Sequence, residues 1–186
     1  MKKYEIRIRG ASDMLHNRLS KDLMDEIKEI PNAKKEEWEK QNWEKKLYKN
    51  SDGDIIIPDL VLYAFMQEAC KKYKVNPPKS IGRTWTAYFK SSVMPLEPAI
   101  LENVDVEPFG AMVNGSPSSS KGSSKVFRVR PRIKKGWTTS ITVLDTAEFL
   151  NKDTVKAIFE TGGMFVGLCD WRPLHGRFIV ENIKEV

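Results

Sequence analysis

Acidic residues are absent from one long stretch of this chain, although they are common elsewhere. Residues 108–144 contain none of the 25 acidic residues and seven of the 31 basic ones. Without these seven charges the net charge of +6 becomes −1, so the basicity belongs to one segment. The cations of this segment are Lys121, Lys125, Arg128, Arg130, Arg132, Lys134 and Lys135.

Cysteine and long apolar runs are also scarce. Cys70 and Cys169 are the two cysteines, with no CxxC or Cys/His ligand spacing, so neither a zinc site nor a disulfide framework is indicated. The longest apolar runs, such as residues 60–66, are too short to cross a bilayer, and the first residues lack the apolar region of a secretory signal. We expect a cytoplasmic protein with no membrane partner, cofactor or metal.

Within the acid-free segment, residues 127–133 alternate strictly between apolar and arginine side chains. A strand with this pattern sends Arg128, Arg130 and Arg132 to one face and its apolar side chains to a core. Arginine donates hydrogen bonds in pairs to phosphate, so a nucleic-acid backbone is the favoured partner of this row. The alternative is that each arginine pairs with a carboxylate on a neighbouring strand.

The remaining patterns predict an α+β fold in a single domain, residues 1–186. Alternation at residues 4–9 predicts a first strand with Arg7 and Arg9 facing outward, and Lys/Glu-rich residues 11–50 predict a helical insertion or arm. Pro58 begins a core helix that extends to about Tyr73. Irregular strands are predicted at 84–93 and 100–106, a strand pair at 127–133 and 138–144, a helix that ends at Gly162-Gly163, and closing strands at 164–168 and 177–183. This order fits a ferredoxin-like or RNA-recognition-type antiparallel sheet, with helices on one face and inserted lobes.

A basic hairpin is expected at residues 108–137. Its loop, residues 114–125, is rich in Ser and Gly and has little apolar surface to bury, so we expect it to be mobile until a ligand orders it. Lys121 and Lys125 belong to this loop.

Two segments resemble RAMP-superfamily proteins, the RNA-binding subunits of CRISPR effector complexes. Residues 162–178 are similar to the glycine-rich loop near the end of those proteins: Gly167 and Gly176-Arg177-Phe178 match, whereas Trp171-Arg172-Pro173 departs from the usual pattern. Ile8-Arg9-Gly10 and the residues after it are similar to the end of their first strand. The order of elements resembles the backbone subunit of a CRISPR effector complex or a phage-borne relative of it.

The resemblance implies an RNA-recognition-type core whose copies assemble along one strand as a homo-oligomer or filament, with the basic hairpin as a flexible thumb. The predicted function is sequence-tolerant binding of single-stranded nucleic acid, RNA in preference to DNA. Besides the seven cations, the predicted contacts are Arg7, Arg9, Arg172, Arg177 and Trp171, whose indole can stack on a base or serve as a lid on the core. Trp38, Trp43, Trp85 and Trp137 are predicted to be packing residues.

Catalysis is the second hypothesis. His16 and His175 lie in predicted loops near arginines, and in a RAMP-type, metal-independent endoribonuclease a histidine acts as general base on a 2′-hydroxyl. No third group that would orient either imidazole is evident.

Two nearby carboxylates have structural readings as well. In some CRISPR backbone subunits an aspartate at the position of Asp13 cleaves with a metal ion, but one carboxylate is a weak metal site, and capping of a turn is the favoured role. Asp170 is expected to pair with Arg172.

A third hypothesis is a viral assembly protein whose basic face meets an acidic partner protein.

Overall fold

The structure, a computed structural model, describes residues 1–82, 84–114 and 125–186. Lys121 and the interior of the predicted loop at 114–125 therefore lie outside the described residues. The strands of the described part are β1 Lys2–Gly10, β2 Met14–Leu15, β3 Ile56–Ile57, β4 Val93–Pro95, β5 Ala99–Ile100, β6 Val106–Asn114, β7 Lys125–Ile133, β8 Thr138–Asp145 and β9 Phe178–Glu185. Its α-helices are α1 Lys21–Glu29, α2 Lys35–Gln41, α3 Asp59–Lys72, α4 Trp85–Ser92 and α5 Lys152–Phe165.

The main sheet is antiparallel and has the strand order β4-β8-β1-β9. Helix α3 follows β1 and helix α5 follows β8, and the two helices contact each other and the sheet, so the chain forms two interleaved β-α-β units. Tyr4, Ile6 and Ile8 of β1 are fully buried beneath them, whereas Arg7 and Arg9 alternate to the other side. The predicted α+β class with an antiparallel sheet is confirmed.

Helix α5 extends further than the sequence indicates. Gly162 and Gly163 were predicted to end it, but they lie inside the helix, which continues to Phe165, so the predicted strand at 164–168 is wrong. A Cβ atom on Gly162 would lie 2.4 Å from the Phe65 ring, and one on Gly163 would lie 2.4 Å from a backbone oxygen of β9. These glycines let α5 approach α3 and the sheet closely.

The strand predicted at residues 84–93 is also wrong, because residues 85–92 form helix α4. Thr84 caps its first turn by accepting a hydrogen bond from the Ala87 N–H. Trp85 and Phe89 are buried one helical turn apart. The cap outweighs the strand preference of the aromatic residues. Trp85 and Trp137 are packing residues as predicted, since 6% and 0% of their surfaces are exposed, whereas Trp38 and Trp43 are only half-buried.

A second sheet of order β2-β7-β6 carries the acid-free segment. Strands β6 and β7 form an antiparallel hairpin in continuous register from Val106 opposite Ile133 to Asn114 opposite Lys125. On the other edge of β7, the short strand β2 pairs with Ile133 and Arg132. Past this point the edge of β7 lies against α2 and residues 43–46.

Two charged side chains complete that edge. The Glu39 carboxylate accepts a hydrogen bond from the Val129 N–H at 2.9 Å, and the Lys46 ammonium donates to the Val129 carbonyl at 3.0 Å. Glu39 and Lys46 also pair with each other, and their side chains are 3% and 1% exposed. They satisfy the backbone groups that a neighbouring strand would otherwise satisfy. Residues 35–46 therefore form a lobe that packs on β7 through the buried pair of Glu39 and Lys46.

In the described ranges, none of the helices has the length and apolar content that a membrane crossing requires.

Candidate nucleic-acid interface

The arginine strand has the predicted alternation, but its guanidinium groups are not free. Val129, Pro131 and Ile133 are buried and the arginines between them are partly exposed. Arg130 Nε lies 2.8 Å from Asp170 Oδ2. Arg132 pairs with Glu107 and lies 3.9 Å from Asp13. Arg128 lies 3.7 Å from Glu39.

The structure therefore agrees with the alternative interpretation, in which each arginine pairs with a carboxylate, although only Glu107 lies on a neighbouring strand. The carboxylates come from α2, β6, the β1–β2 junction and the loop before β9, all outside the acid-free segment. Asp170 was predicted to pair with Arg172, but it pairs with Arg130. Of the three arginines, Arg128 alone has no carboxylate closer than 3.7 Å, and 32% of its side chain is exposed, so it is the least restrained.

Other predicted cations are neutralised in the same way. Arg7 donates two hydrogen bonds to Glu102, at 2.9 and 2.6 Å, and Arg9 donates one to Glu181 at 2.7 Å. Lys134 lies within 3.2 Å of both Asp105 and Glu107, and these carboxylates raise the pKa of its ammonium. The outer face of the main sheet is thus charge-compensated around Arg7 and Arg9.

An aromatic cluster lies where the hairpin meets the loop between α5 and β9. The Phe109 ring of β6 contacts the rings of Trp171 and His175 with centroid distances of 6.0 and 5.8 Å, and Trp171 and His175 are 6.3 Å apart. The Arg130 guanidinium lies 5.9 Å from the Trp171 ring and that of Arg132 lies 5.0 Å from the Phe109 ring. Each arginine thus joins a carboxylate to an aromatic face.

The loop of residues 166–177 is closed at its base by two glycines. Leu168 N–H donates to the Gly176 carbonyl at 2.9 Å, and Gly167 and Gly176 have φ values of +74° and +77°. The loop is also tied to the hairpin side, because Gly176 N–H donates to the Asp13 carbonyl and Asp170 N–H donates to the Leu15 carbonyl. The loop that is similar to the RAMP glycine-rich loop is therefore closed by backbone hydrogen bonds, and these bonds fix the position of Trp171.

Trp171 has a φ of +51°, which is unfavourable for a bulky side chain. Its φ and the Asp170–Arg130 ion pair next to it hold the half-buried indole against Phe109. Backbone strain of this kind at a partly exposed aromatic residue indicates a functional role.

Some predicted cations are exposed and have no ion pair within the described residues. They are Lys125, Lys135, Arg172 and Arg177. Lys135 and Arg177 are held near each other by two consecutive residues. Lys135 N–H donates a hydrogen bond to the Asp13 side chain, and Arg177 N–H donates one to the Ser12 side chain. Arg177 Nε also donates to the Pro173 carbonyl at 2.8 Å. We call Lys135, Arg172 and Arg177 the loop cations.

The structure argues against His16 as a general base. Its side chain is fully buried rather than in an accessible loop, Nδ1 accepts a hydrogen bond from Tyr48 N–H, and burial lowers the pKa of the imidazole to about 3. His175 is half-buried among aromatic rings, and within the described residues no carboxylate or carbonyl orients its imidazole. A general base needs such access and orientation.

The Asp13 carboxylate accepts a hydrogen bond from the backbone. Its Oδ1 accepts a hydrogen bond from Lys135 N–H at 2.9 Å, which fits the turn-capping interpretation. In the described ranges no group of three or more His, Cys, Asp or Glu side chains is arranged to hold a metal ion.

Sequence reasoning missed Phe109 and the Glu39–Lys46 pair. Phe109 lies two residues after Glu107 on a strand that the sequence places only as part of the basic hairpin, and its partner Trp171 is 62 residues away. Glu107, Phe109 and Ala111 are every second residue of a strand, and this spacing is only a weak signal that they lie on the same face of the hairpin. Nothing in the Lys/Glu pattern of residues 33–47 marks one pair as buried.

Comparison with known proteins identifies the fold. No protein-family model matches the chain, and no curated protein matches it. Among solved structures it is similar to a chain in the cryo-EM structure of the type III-B Cmr-beta bound to cognate target RNA, with a TM-score of 0.65 and 10% identity, over 100% of this chain and 60% of that chain. It is also similar to Cmr6 from Pyrococcus furiosus, with a TM-score of 0.51 and 10% identity, over 97% of this chain and 98% of that one.

The present chain thus spans less than two thirds of the Cmr-beta chain that it matches. At 10% identity these similarities show the fold. The RAMP-like fold implied by the sequence resemblance is confirmed, and the phage-borne alternative stays a prediction.

Proposed function

We propose that this protein binds single-stranded RNA with little sequence preference, across the face where the β6–β7 hairpin meets the 166–177 loop. The observation that carries this proposal is the cluster of Phe109, Trp171 and His175 with two guanidinium groups against its rings. Stacked aromatic residues beside cations bind bases of any sequence, because every base has a π-face.

In this site the paired arginines and the loop cations have different roles. Arg130 and Arg132, held by Asp170 and by Glu107, position the aromatic rings. The loop cations Lys135, Arg172 and Arg177 contact phosphates, as does Arg128 where its long ion pair to Glu39 leaves it exposed. Of the other predicted contacts, Lys125 at the start of β7 remains a candidate, and so does Lys121, which lies outside the described residues.

The fold supports RNA as the ligand, since the similar Cmr-beta structure is bound to target RNA. Assembly of copies along the strand remains part of the proposal. Met164 and Phe165 at the end of α5 are 59% and 57% exposed, which suits an apolar contact with a neighbouring copy. Within the described residues no feature favours the endoribonuclease or the acidic-partner hypothesis.

Replacing all three loop cations with alanine is expected to weaken RNA binding and to flatten its salt dependence. Each phosphate contact on a single strand contributes a slope of about −0.7 in log K against log [salt], so the slope should change by about 2. Fluorescence anisotropy of a labelled RNA oligonucleotide at several salt concentrations measures both quantities.

The matched control replaces Lys3, Lys90 and Lys152, which are exposed and unpaired within the described residues and lie at the start of β1, on α4 and at the start of α5. It removes the same charge. Equal slopes for the two triple variants would show that only net charge matters and would remove the proposed site.

A further inference from the structure

An apolar cavity of about 390 Å³ lies where the last two turns of helix α5 meet the start of strand β9. Met164 of α5 and residues 178–180 of β9 line it. Met164 and Ile179 are 59% and 45% exposed, large values for apolar side chains. Exposed carbon surface beside a cavity is typical of a contact with another protein chain.

The start of β9 lacks the features that protect an edge strand. Within the described ranges β9 is the last strand of the main sheet and pairs only with β1. From residue 181 onward the strand is protected, because Glu181 forms a bulge and residues 181, 184 and 185 are charged. Bulges and charges prevent the edges of two sheets from associating. Residues 178–180 have neither, and they are the part of β9 that lines the cavity.

Two opposite charges line the same cavity without pairing with each other. Glu160 of α5 has one long ion pair within the described residues, to Lys156 at 3.9 Å. Arg177, which precedes β9, donates from Nε to the Pro173 carbonyl, and its terminal nitrogens have no carboxylate partner in the described ranges. An apolar centre flanked by one anion and one cation is complementary to itself after a rotation of 180°.

We propose that two copies of this protein associate through this surface about a twofold axis. Met164 and Ile179 of each copy pack against the cavity of the other, and Glu160 of each copy pairs with Arg177 of the other. A second copy fits better than an acidic or a basic partner, because either of those leaves one of the two charges covered and unpaired.

The contact goes beyond RNA binding and does not depend on it. A guanidinium carries more N–H groups than one carboxylate engages, so Arg177 keeps donors for a phosphate. Because a twofold contact closes on itself, it forms pairs, and longer assemblies on RNA require a second contact surface.

Sedimentation velocity in the absence of RNA tests the contact. Nuclease-treated wild-type protein is expected to change from the mass of one chain to that of two as its concentration rises. Met164→Lys places a charge in the apolar centre and should raise the dissociation constant of the pair at least about tenfold. Leu60→Lys on α3 is the control, since Leu60 is 75% exposed but does not line the cavity, and it should pair like wild-type protein.

Exchange of the two charges tests the twofold geometry. Glu160→Arg alone and Arg177→Glu alone place like charges opposite each other, so each variant should remain monomeric. When the two variants are mixed in equal amounts, one chain is cationic at both positions and the other is anionic at both, so both ion pairs form again. The mixture should recover the mass of two chains, which also shows that both variants are folded.

Three results would overturn the inference. The first is wild-type protein that stays monomeric at every concentration, and the second is pairing that persists in Met164→Lys, because the contact then lies elsewhere. The third is a mixture of the charge variants that forms assemblies of more than two chains, which indicates a head-to-tail contact. RNA affinity measured by anisotropy on the same samples reports separately on the proposed function.

Discussion

Glu39→Ala is expected to lower the free energy of unfolding by about 3–5 kcal/mol, the usual cost of breaking a buried ion pair from one side. The variant leaves the Lys46 ammonium buried and the Val129 N–H without an acceptor. Burial already lowers the pKa of Lys46, and the hydrogen bond to Glu39 opposes that effect, so the variant also removes what keeps the ammonium charged. Urea denaturation followed by tryptophan fluorescence measures the change.

Glu36→Ala is the control, because Glu36 and Lys40 form an exposed pair one helical turn apart on the same helix. Its loss should cost about 0.3–0.5 kcal/mol. If Glu39→Ala costs no more than Glu36→Ala, the buried pair does not secure the lobe to β7.

The double variant Glu39→Leu/Lys46→Met examines why the pair is charged. Apolar replacement of a buried ion pair is often neutral or stabilising. Here it should remain destabilising, because it leaves the Val129 N–H and carbonyl unsatisfied at about 1–3 kcal/mol each. Wild-type stability of the double variant would show that the edge of β7 does not need these side chains.

Gly176→Ala is expected to be the most damaging single change in the 166–177 loop. A Cβ atom at residue 176 would lie 2.0 Å from the Leu168 oxygen and 2.5 Å from the Leu168 nitrogen, and a backbone neighbour cannot turn aside as a flexible side chain can. The loop base must open, at a cost of about 4 kcal/mol or more. RNA affinity should fall with it, since the movement separates Trp171 from Phe109 and stacking contributes about 1–3 kcal/mol per base.

Gly53→Ala is the control for Gly176→Ala, because it introduces backbone strain without a steric clash. Gly53 has a φ of +89° with nothing within 4 Å of the added atom, so only the left-handed conformation is penalised, by about 1–2 kcal/mol. Similar losses of stability in the two variants, or full RNA affinity in Gly176→Ala, would mean that the closed loop base does not support the aromatic cluster.

The fold was predictable where periodicity is strong and local. Strand β1, helix α3 and the alternation of β7 follow from patterns within ten to fifteen residues, and the structure confirms them. Helix α4 and the end of α5 were predicted wrongly because a threonine cap and the close approach of Gly162 to Phe65 outweigh local preference. Both are contacts that a propensity argument does not contain.

The site was predictable only in part. The sequence identifies the segment rich in arginine and the glycine loop, but the carboxylates that neutralise Arg128, Arg130 and Arg132 come from four separate parts of the chain. An acid-free run of sequence therefore does not imply an acid-free surface. The same topology brings Phe109 next to Trp171, and no sequence pattern predicts this contact.

Photo-crosslinking tests the location of RNA most directly. Single-stranded RNA containing 4-thiouridine would be irradiated with the full chain and the crosslinked peptides identified by mass spectrometry. We expect crosslinks on Phe109 of β6 and on Trp171 and its neighbours in the 166–177 loop. Crosslinks confined to the outer face of β1, β8 and β9, around Arg7 and Arg9, would contradict the account.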